Sequence, residues 1–335
     1  MSGRPGNTAF DGILLITFGG PQSREDIRPF LANVLRGRRV PPHRMEEVVR
    51  HYELFDGMSP ITELTLKQAA GLRSRLDRDG PALPVYVGMR NWHPYLVDTL
   101  REMADDGIKR AVGFILAPHR SYSSCDQYRR NVVAARRNLR DTGYPDVQVF
   151  HAGDWHTHDG FINAVAARVD TAFEEIPGPL RRRTRLIFTA HSIPLSMAET
   201  SPYHDQLKAS ARLVASRLAL TNWALVFQSR SGRPQDPWLE PDVCDYLRTE
   251  RRAGLDAVVL CPLGFVTDHI EVLYDLDHEA AGVCAELGIT MRRAAAVNDD
   301  PRFLDMIADV VRATMSRYDC GVPLAICPET EQFTA

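Results

Sequence analysis

Short apolar runs alternate with longer stretches whose apolar positions recur every three or four residues, and the alternation continues almost from end to end. The runs at 12–18, 84–89, 111–117, 146–151, 185–190, 223–228 and 256–261 are rich in Val, Ile, Leu and Phe, with little polar alternation. Strands covered on both faces have this pattern. The helical period marks the stretches near 24–35, 61–78, 94–106, 126–141, 158–175, 205–219, 241–253, 268–287 and 301–317. Strand, helix and strand in this order predict an α/β protein with parallel sheets flanked by helices.

The segment Gly178-Pro-Leu-Arg-Arg-Arg-Thr184 lies near the middle of the 335 residues, just before a fresh strand. At roughly 100–200 residues per domain, it is the natural boundary between two α/β halves. The expected division is 8–178 and 179–318, with a tail at 319–335. Both halves open alike, Leu15-Ile-Thr-Phe-Gly-Gly-Pro21 in one and Phe188-Thr-Ala-His-Ser-Ile-Pro194 in the other. Each is a strand running into a turn, which hints at a duplicated fold with ligands beyond the carboxyl ends of its strands.

Composition narrows the class. With 44% hydrophobic and 25% charged residues the chain resembles an ordinary globular protein. A net charge of −3 supplies no general attraction for phosphate backbones, so no nucleic-acid partner is expected. No apolar run approaches the ~20 residues of a transmembrane segment. The N-terminus lacks a secretory layout, so a cytoplasmic location is expected. None of the six cysteines forms a C-x-x-C pair. Reduced thiols are therefore expected, with no disulfide framework or zinc ribbon.

Two places carry candidate chemistry. His191 ends an apolar strand, where an imidazole can bind a metal, take a proton or merely brace a turn. Beyond the strand at 256–261, Asp268 is placed to start a helix, and Glu271, Asp275 and Glu279 follow at intervals of four. One helix face would carry all three. Such like charges cost about 0.2–0.5 kcal/mol per pair, and no Lys or Arg occurs between 268 and 290 to offset them. A bound cation would. Capping is the plainer account of Asp268 and Glu271, which approximate a capping box, and a solvated face could hold the others.

The remaining loops are less specific. Phe18-Gly-Gly-Pro21 lacks the spacing of the nucleotide-binding fingerprints. Asp56-Gly-Met-Ser-Pro60 reads as a turn, with Ser59 as helix N-cap and Pro60 at the first helical position. The basic stretch Arg36-Gly-Arg-Arg-Val-Pro-Pro-His-Arg44 could clamp a carboxylate-bearing small molecule or simply face water.

Taken together, Thr189-Ala-His-Ser-Ile-Pro194, Gly264-Phe-Val-Thr-Asp-His-Ile-Glu-Val-Leu-Tyr-Asp-Leu-Asp277, Phe18-Gly-Gly-Pro21, Gly57-Met-Ser-Pro-Ile61, Gln228-Ser-Arg-Ser-Gly232 and Pro237-Trp-Leu239 resemble ferrochelatase. The resemblance runs from about residue 11 to about 318. It implies two similar Rossmann-like, chelatase-like domains, each a parallel four-stranded sheet flanked by helices, with a porphyrin cleft between them. It implies insertion of Fe²⁺ into a porphyrin with release of two protons, the porphyrin as substrate and haem as product. Residue by residue, His191 and Glu271 become the catalytic and metal-site pair, and Asp275 and Glu279 a metal or proton path. Ser59 and Tyr128 become porphyrin contacts, with Tyr52, Arg36, Gln228 and Trp238 as further pocket residues.

Two departures stand out. Phe18 occupies a position where some relatives have a tyrosine near the iron. Cys125, Cys320 and Cys327 resemble the branch of the family that carries a [2Fe–2S] cluster, one ligand short of four. An Arg-rich stretch at 34–52, where an apolar lip occurs in relatives that use protoporphyrin IX, leads to an expectation of coproporphyrin III. The alternatives are protoporphyrin IX, a cobalt or nickel tetrapyrrole chelatase, and a non-catalytic haem or metal carrier. A carrier would be expected to have lost His191 or Glu271.

Overall fold

Side chains of the first strand alternate between two cores, Ile13 and Leu15 facing one and Leu14 and Ile16 the other. This double burial explains why the strand reads as continuously apolar. The computed structural model describes residues 9–37, 41–231, 235–322 and 324. The first half contains β1 (Gly12–Thr17), α1 (Ile27–Val34), α2 (Pro42–Glu53), α3 (Ile61–Asp79), β2 (Val85–Met89), α4 (Leu96–Asp105), β3 (Arg110–Ile115), a π-helical turn (Tyr122–Asp126), α5 (Gln127–Asp141), β4 (Gln148–His151) and α6 (Asp159–Glu174). After the short α7 (Gly178–Arg181) come β5 (Arg185–His191), α8 (Leu195–Glu199), α9 (Tyr203–Arg217), β6 (Trp223–Gln228), α10 (Val243–Arg252) and β7 (Ala257–Cys261). The chain then forms α11 (Ile270–Val272), a π-helix (Leu273–Ala280), α12 (Ala281–Leu287), β8 (Thr290–Arg293) and α13 (Pro301–Asp319).

The sheets are two parallel four-stranded sheets with the same permutation, β2-β1-β3-β4 and β6-β5-β7-β8. The duplication hinted at by the two strand-to-turn openings is thus a duplication of topology. One helix from each half crosses over: α6 packs on α9, β7 and β8, while α13 packs on α3 and β3. A single apolar cluster accordingly runs from Ile13 and Leu15 through Phe161 and Phe303 to Phe188 and Val259. Polar ties join the halves as well, Gln68 Nε2 donating to the Asn298 carbonyl at 2.8 Å and His119 Nε2 lying 3.0 Å from Ser210 Oγ.

Three elements depart from the periodicity. Helix α2 lies within the stretch read as a polar, basic one; Met45, Val48, Val49 and Tyr52 form its narrow apolar stripe. Strand β8 is short and partly exposed at a sheet edge, so Thr290-Met-Arg-Arg293 carries no apolar run. It begins just after α12 ends at Gly288, whose φ of 66° supplies the left-handed residue that closes a helix. Finally, residues 268–287 do not form one α-helix, because eight of them are π-helical.

Candidate functional site

The strand β5 delivers His191 at its carboxyl end, and the turn that follows is tightly held. Ser192 N donates to the Gln228 carbonyl at 2.8 Å and Ser192 Oγ to the Leu239 carbonyl at 2.8 Å. Tyr203 Oη donates to the carbonyl of His191 itself at 2.9 Å. His191 Nδ1 lies 2.5 Å from the carbonyl oxygen of Ser192. A carbonyl only accepts, so Nδ1 is the donor in this contact. Nε2 faces Glu271, whose Oε1 is 4.0 Å away.

Asp268 does not cap the helix after it. The N-cap of α11 is His269, without a side-chain cap bond, while the Asp268 carboxylate accepts from Ala296 N, Asn298 Nδ2 and Arg293 Nη1. Glu271 just precedes the π-helical segment and Asp275 and Glu279 lie within it, and no Lys or Arg pairs with any of them among the described residues. Asp275 is buried and accepts from Gln228 Nε2 at 3.0 Å and from Ser229 Oγ. Burial first, and then the neighbouring Glu271 and Glu279 charges, raise its pKa to about 7 against the pull of those two hydrogen bonds. Glu279 is also raised, mainly by burial.

The row has two ends. At one, Glu271 approaches His191 and also bears on two phenols: burial, with a contribution from the Glu271 charge, pushes the pKa of Tyr52 and of Tyr128 upward. Tyr52 comes from α2 and Tyr128 from α5, so the first half supplies the wall opposite the π-helix. At the other end, Asp275 and Glu279 line a cavity of about 410 Å³ together with Gln228, Ser229, Asp242 and Cys244. Asp275 and Glu279 thus face this hollow, whereas Glu271 faces His191. Arg248 also lines that cavity, and carboxylate oxygens of this kind are ligands that hard divalent cations accept.

The other sequence candidates fall into two groups. Gln228 joins the site through Asp275, and Trp238 lies beside the His191 turn through its bridge to Pro194. Ser59 is buried against Gly20 below the cleft wall, but it does not cap α3; that position belongs to Pro60, and no side-chain cap bond forms. Phe18 packs on Phe30, whose ring also meets Tyr52. Arg36 lies apart from the carboxylate row, exposed after α1 and bonded to Asn33 Oδ1 at 2.7 Å.

Among the described residues the candidate cysteines are not shown to assemble. Cys125 packs with Leu14, Ile16 and Tyr128 on one face of the first sheet, whereas Tyr318, just before Cys320, packs on the other. Cys327 lies outside the described residues. Among the described residues no three His, Cys, Asp or Glu side chains converge on a metal position. Nothing among the described residues supports a [2Fe–2S] cluster. No described helix is long and apolar enough to cross a membrane.

Sequence reasoning missed Ser229, Tyr203 and Arg293. A serine with a φ of 60° has no signal in a linear pattern, yet this backbone brings its hydroxyl onto Asp275.

Comparison with known proteins agrees with this geometry. The chelatase fold is shared with the sirohydrochlorin chelatase SirB from Bacillus subtilis subspecies spizizenii, with a TM-score of 0.56 at 9% identity, covering 93% of this chain and 97% of that one. Sequence similarity is far closer elsewhere. A ferrochelatase from Rhodopirellula baltica is 46% identical over 311 residues, 92% of this chain and 88% of its own. A coproporphyrin III ferrochelatase from Mycolicibacterium smegmatis is 43% identical over 306 residues, 90% and 89% of the two chains. The ferrochelatase family model matches residues 10–315, which takes in both sheets and the whole carboxylate row, so the chain belongs to the ferrochelatase family, lyases that insert iron into a porphyrin.

Proposed function

We propose that the cleft inserts Fe²⁺ into coproporphyrin III, with His191 and Glu271 acting at one face of the macrocycle. The observation that carries this reading is the row Glu271–Asp275–Glu279, open to His191 at one end and to a polar cavity at the other. Metal entry needs a partly dehydrated ion, a ring bent to expose its nitrogen lone pairs and acceptors for two pyrrole protons. The Nε2 lone pair of His191, fixed by the Nδ1 contact to Ser192, takes one proton. Glu271 holds the ion, and the acidic row behind it supplies the next ion or removes the second proton. Ser59, Tyr52, Tyr128, Gln228 and Trp238 shape the pocket, and remote contacts to the macrocycle supply the energy of its distortion.

Choice of porphyrin rests on the rim. Arg28 and Arg44 are neutralised by Glu46 and Glu47, but Arg36 has no carboxylate partner among the described residues. Its exposed guanidinium can accept an extra propionate of coproporphyrin III. Protoporphyrin IX is the second reading, favoured by Leu54 and Met58, each 58% exposed after α2. The deciding experiment is anaerobic incubation with Fe²⁺ and each porphyrin, following loss of the free-porphyrin bands; no loss with either would refute the reading.

A further inference from the structure

A π-helix is a rare conformation that persists where its surroundings hold it. Here eight residues adopt it, between three α-helical residues that include Glu271 and the seven of α12. In an α-helix, residues four apart overrun a full turn by roughly 40°; the wider π turn reduces the rotation per residue and so changes the line along which Glu271, Asp275 and Glu279 run. Relaxation to an α-helix would swing Asp275 and Glu279 around the axis relative to Glu271. Something must therefore grip the segment on both sides of the row.

The grip comes from the edge strand that carries no apolar run. Arg293 ends β8, and its guanidinium is largely buried, with 15% side-chain exposure. Nη1 donates to Asp268 Oδ1 at 2.7 Å, and Nε donates to Asp277 Oδ1 at 2.6 Å. Asp268 precedes Glu271; Asp277 lies inside the π-helix, between Asp275 and Glu279. Asp268 is itself immobilised, accepting from Asn298 Nδ2 at 2.7 Å and Ala296 N at 3.1 Å, while its own N–H donates to Asn298 Oδ1 at 2.9 Å. The fork thus ties the π-helix to a fixed anchor through charge-assisted bonds.

We propose that Arg293 is a positioning residue that selects the π-helical register and so aligns Glu271 with Asp275 for metal transfer. The proposal rests on the reading of that row as the metal or proton path. The Arg293 donors are spent on Asp268 and Asp277, so its charge is held beside the row and not on it. Lysine cannot reproduce it, because a single ammonium lacks the planar fork that spans two carboxylates.

The test compares Arg293→Met, Arg293→Lys and Asp277→Asn with Arg185→Met, which removes a comparable half-buried ion pair to Glu250 elsewhere in the same sheet. Hydrogen exchange of the 273–280 amides and anaerobic insertion kinetics are read on the full chain. The expected result is faster exchange confined to that segment, kcat/KM for Fe²⁺ down about tenfold or more in Arg293→Met, and porphyrin Kd within about twofold of wild type. Arg293→Lys should fall between, and Arg185→Met should change stability without the segment-specific exchange. Asp277→Asn keeps the Asp268 pair, so it carries the test should Arg293→Met not fold. Unchanged exchange at 273–280 in Asp277→Asn would overturn the clamp whatever the activity. Faster exchange with wild-type metal kinetics would overturn its link to the row, and porphyrin affinity falling in step with kcat/KM would reduce Arg293 to a structural role.

Discussion

His191 Nε2 and Glu271 Oε1 stand 4.0 Å apart, although one residue ends β5 and the other opens the segment after β7. Neighbouring parallel strands bring their carboxyl ends together, and these two strands are neighbours. Both side chains are partly exposed, at 33% and 45%, so neither belongs to the core. His191→Ala and Glu271→Gln should therefore fold normally, yet each should lose on the order of 10²-fold or more in kcat/KM. Circular dichroism and anaerobic kinetics on the same preparations check this. Wild-type turnover in either folded variant would remove that residue from the site.

Asp275 should make the metal-free protein pH-sensitive. Its pKa is raised to about 7 in the folded chain, chiefly by burial, against about 3.9 when unfolded. The folded state therefore retains a proton that the unfolded state has lost, and the contribution of Asp275 falls as pH rises between those values. Denaturant midpoints measured across this range should decline more steeply for wild type than for Asp275→Asn. A tenfold difference in proton affinity between the two states corresponds to about 1.4 kcal/mol, so the effect should be measurable. Parallel curves for the two proteins would contradict the assignment.

Coproporphyrin III should be used in preference to protoporphyrin IX. A charge-assisted hydrogen bond contributes about 1.5–3 kcal/mol, or roughly ten- to a hundredfold in affinity, and solvent at the exposed Arg36 will reduce this. Measurement of kcat/KM for both porphyrins, repeated with Arg36→Ala, separates the substrate from the residue. A protein that used protoporphyrin IX equally well would defeat the preference, while a preference surviving Arg36→Ala would discard only Arg36.

Gly20 is confined by Ser59. A Cβ added at Gly20 would lie 2.6 Å from Ser59 Cβ and 2.9 Å from Ile61 Cγ2. Gly20→Ala must displace the start of α3, with an expected loss of about 1–3 kcal/mol and weaker porphyrin binding. Ser59→Ala, which removes no helix cap, should leave stability nearly unchanged and affect only binding. Thermal midpoints and porphyrin fluorescence titrations distinguish the two effects. Gly20→Ala with wild-type values in both would show that the close approach is unimportant.

Much of the fold was legible along the chain because the inner strands β1, β3, β5 and β7 are buried on both faces, which forces continuous apolar runs. Ile13 to Ile16 illustrate this, with no face left to carry a polar residue. His191 and Glu271 were legible for a different reason: each lies at or just beyond the carboxyl end of such a strand, where α/β proteins place their ligands. The partial exposure of every residue of β8 freed Thr290-Met-Arg-Arg293 from any apolar requirement, and the sparse stripe of α2 was hidden among charges.

Only the tertiary structure decided how the acidic row is built. The spacing of Glu271, Asp275 and Glu279 is set by the sequence, but an α-helix and a π-helix share that spacing, and local propensity does not choose between them. The choice depends on Asp268, Asp277 and Arg293 meeting across β8 and on Ser229 and Gln228 reaching Asp275 from the end of β6. The cysteines show the converse: Cys125 and Cys320 invite a common cluster on paper, but one thiol is buried in a core and the other is exposed after the last helix. Contacts between residues far apart in the chain depend on how sheets and helices pack, and the pattern along a single segment encodes only the face that segment must bury.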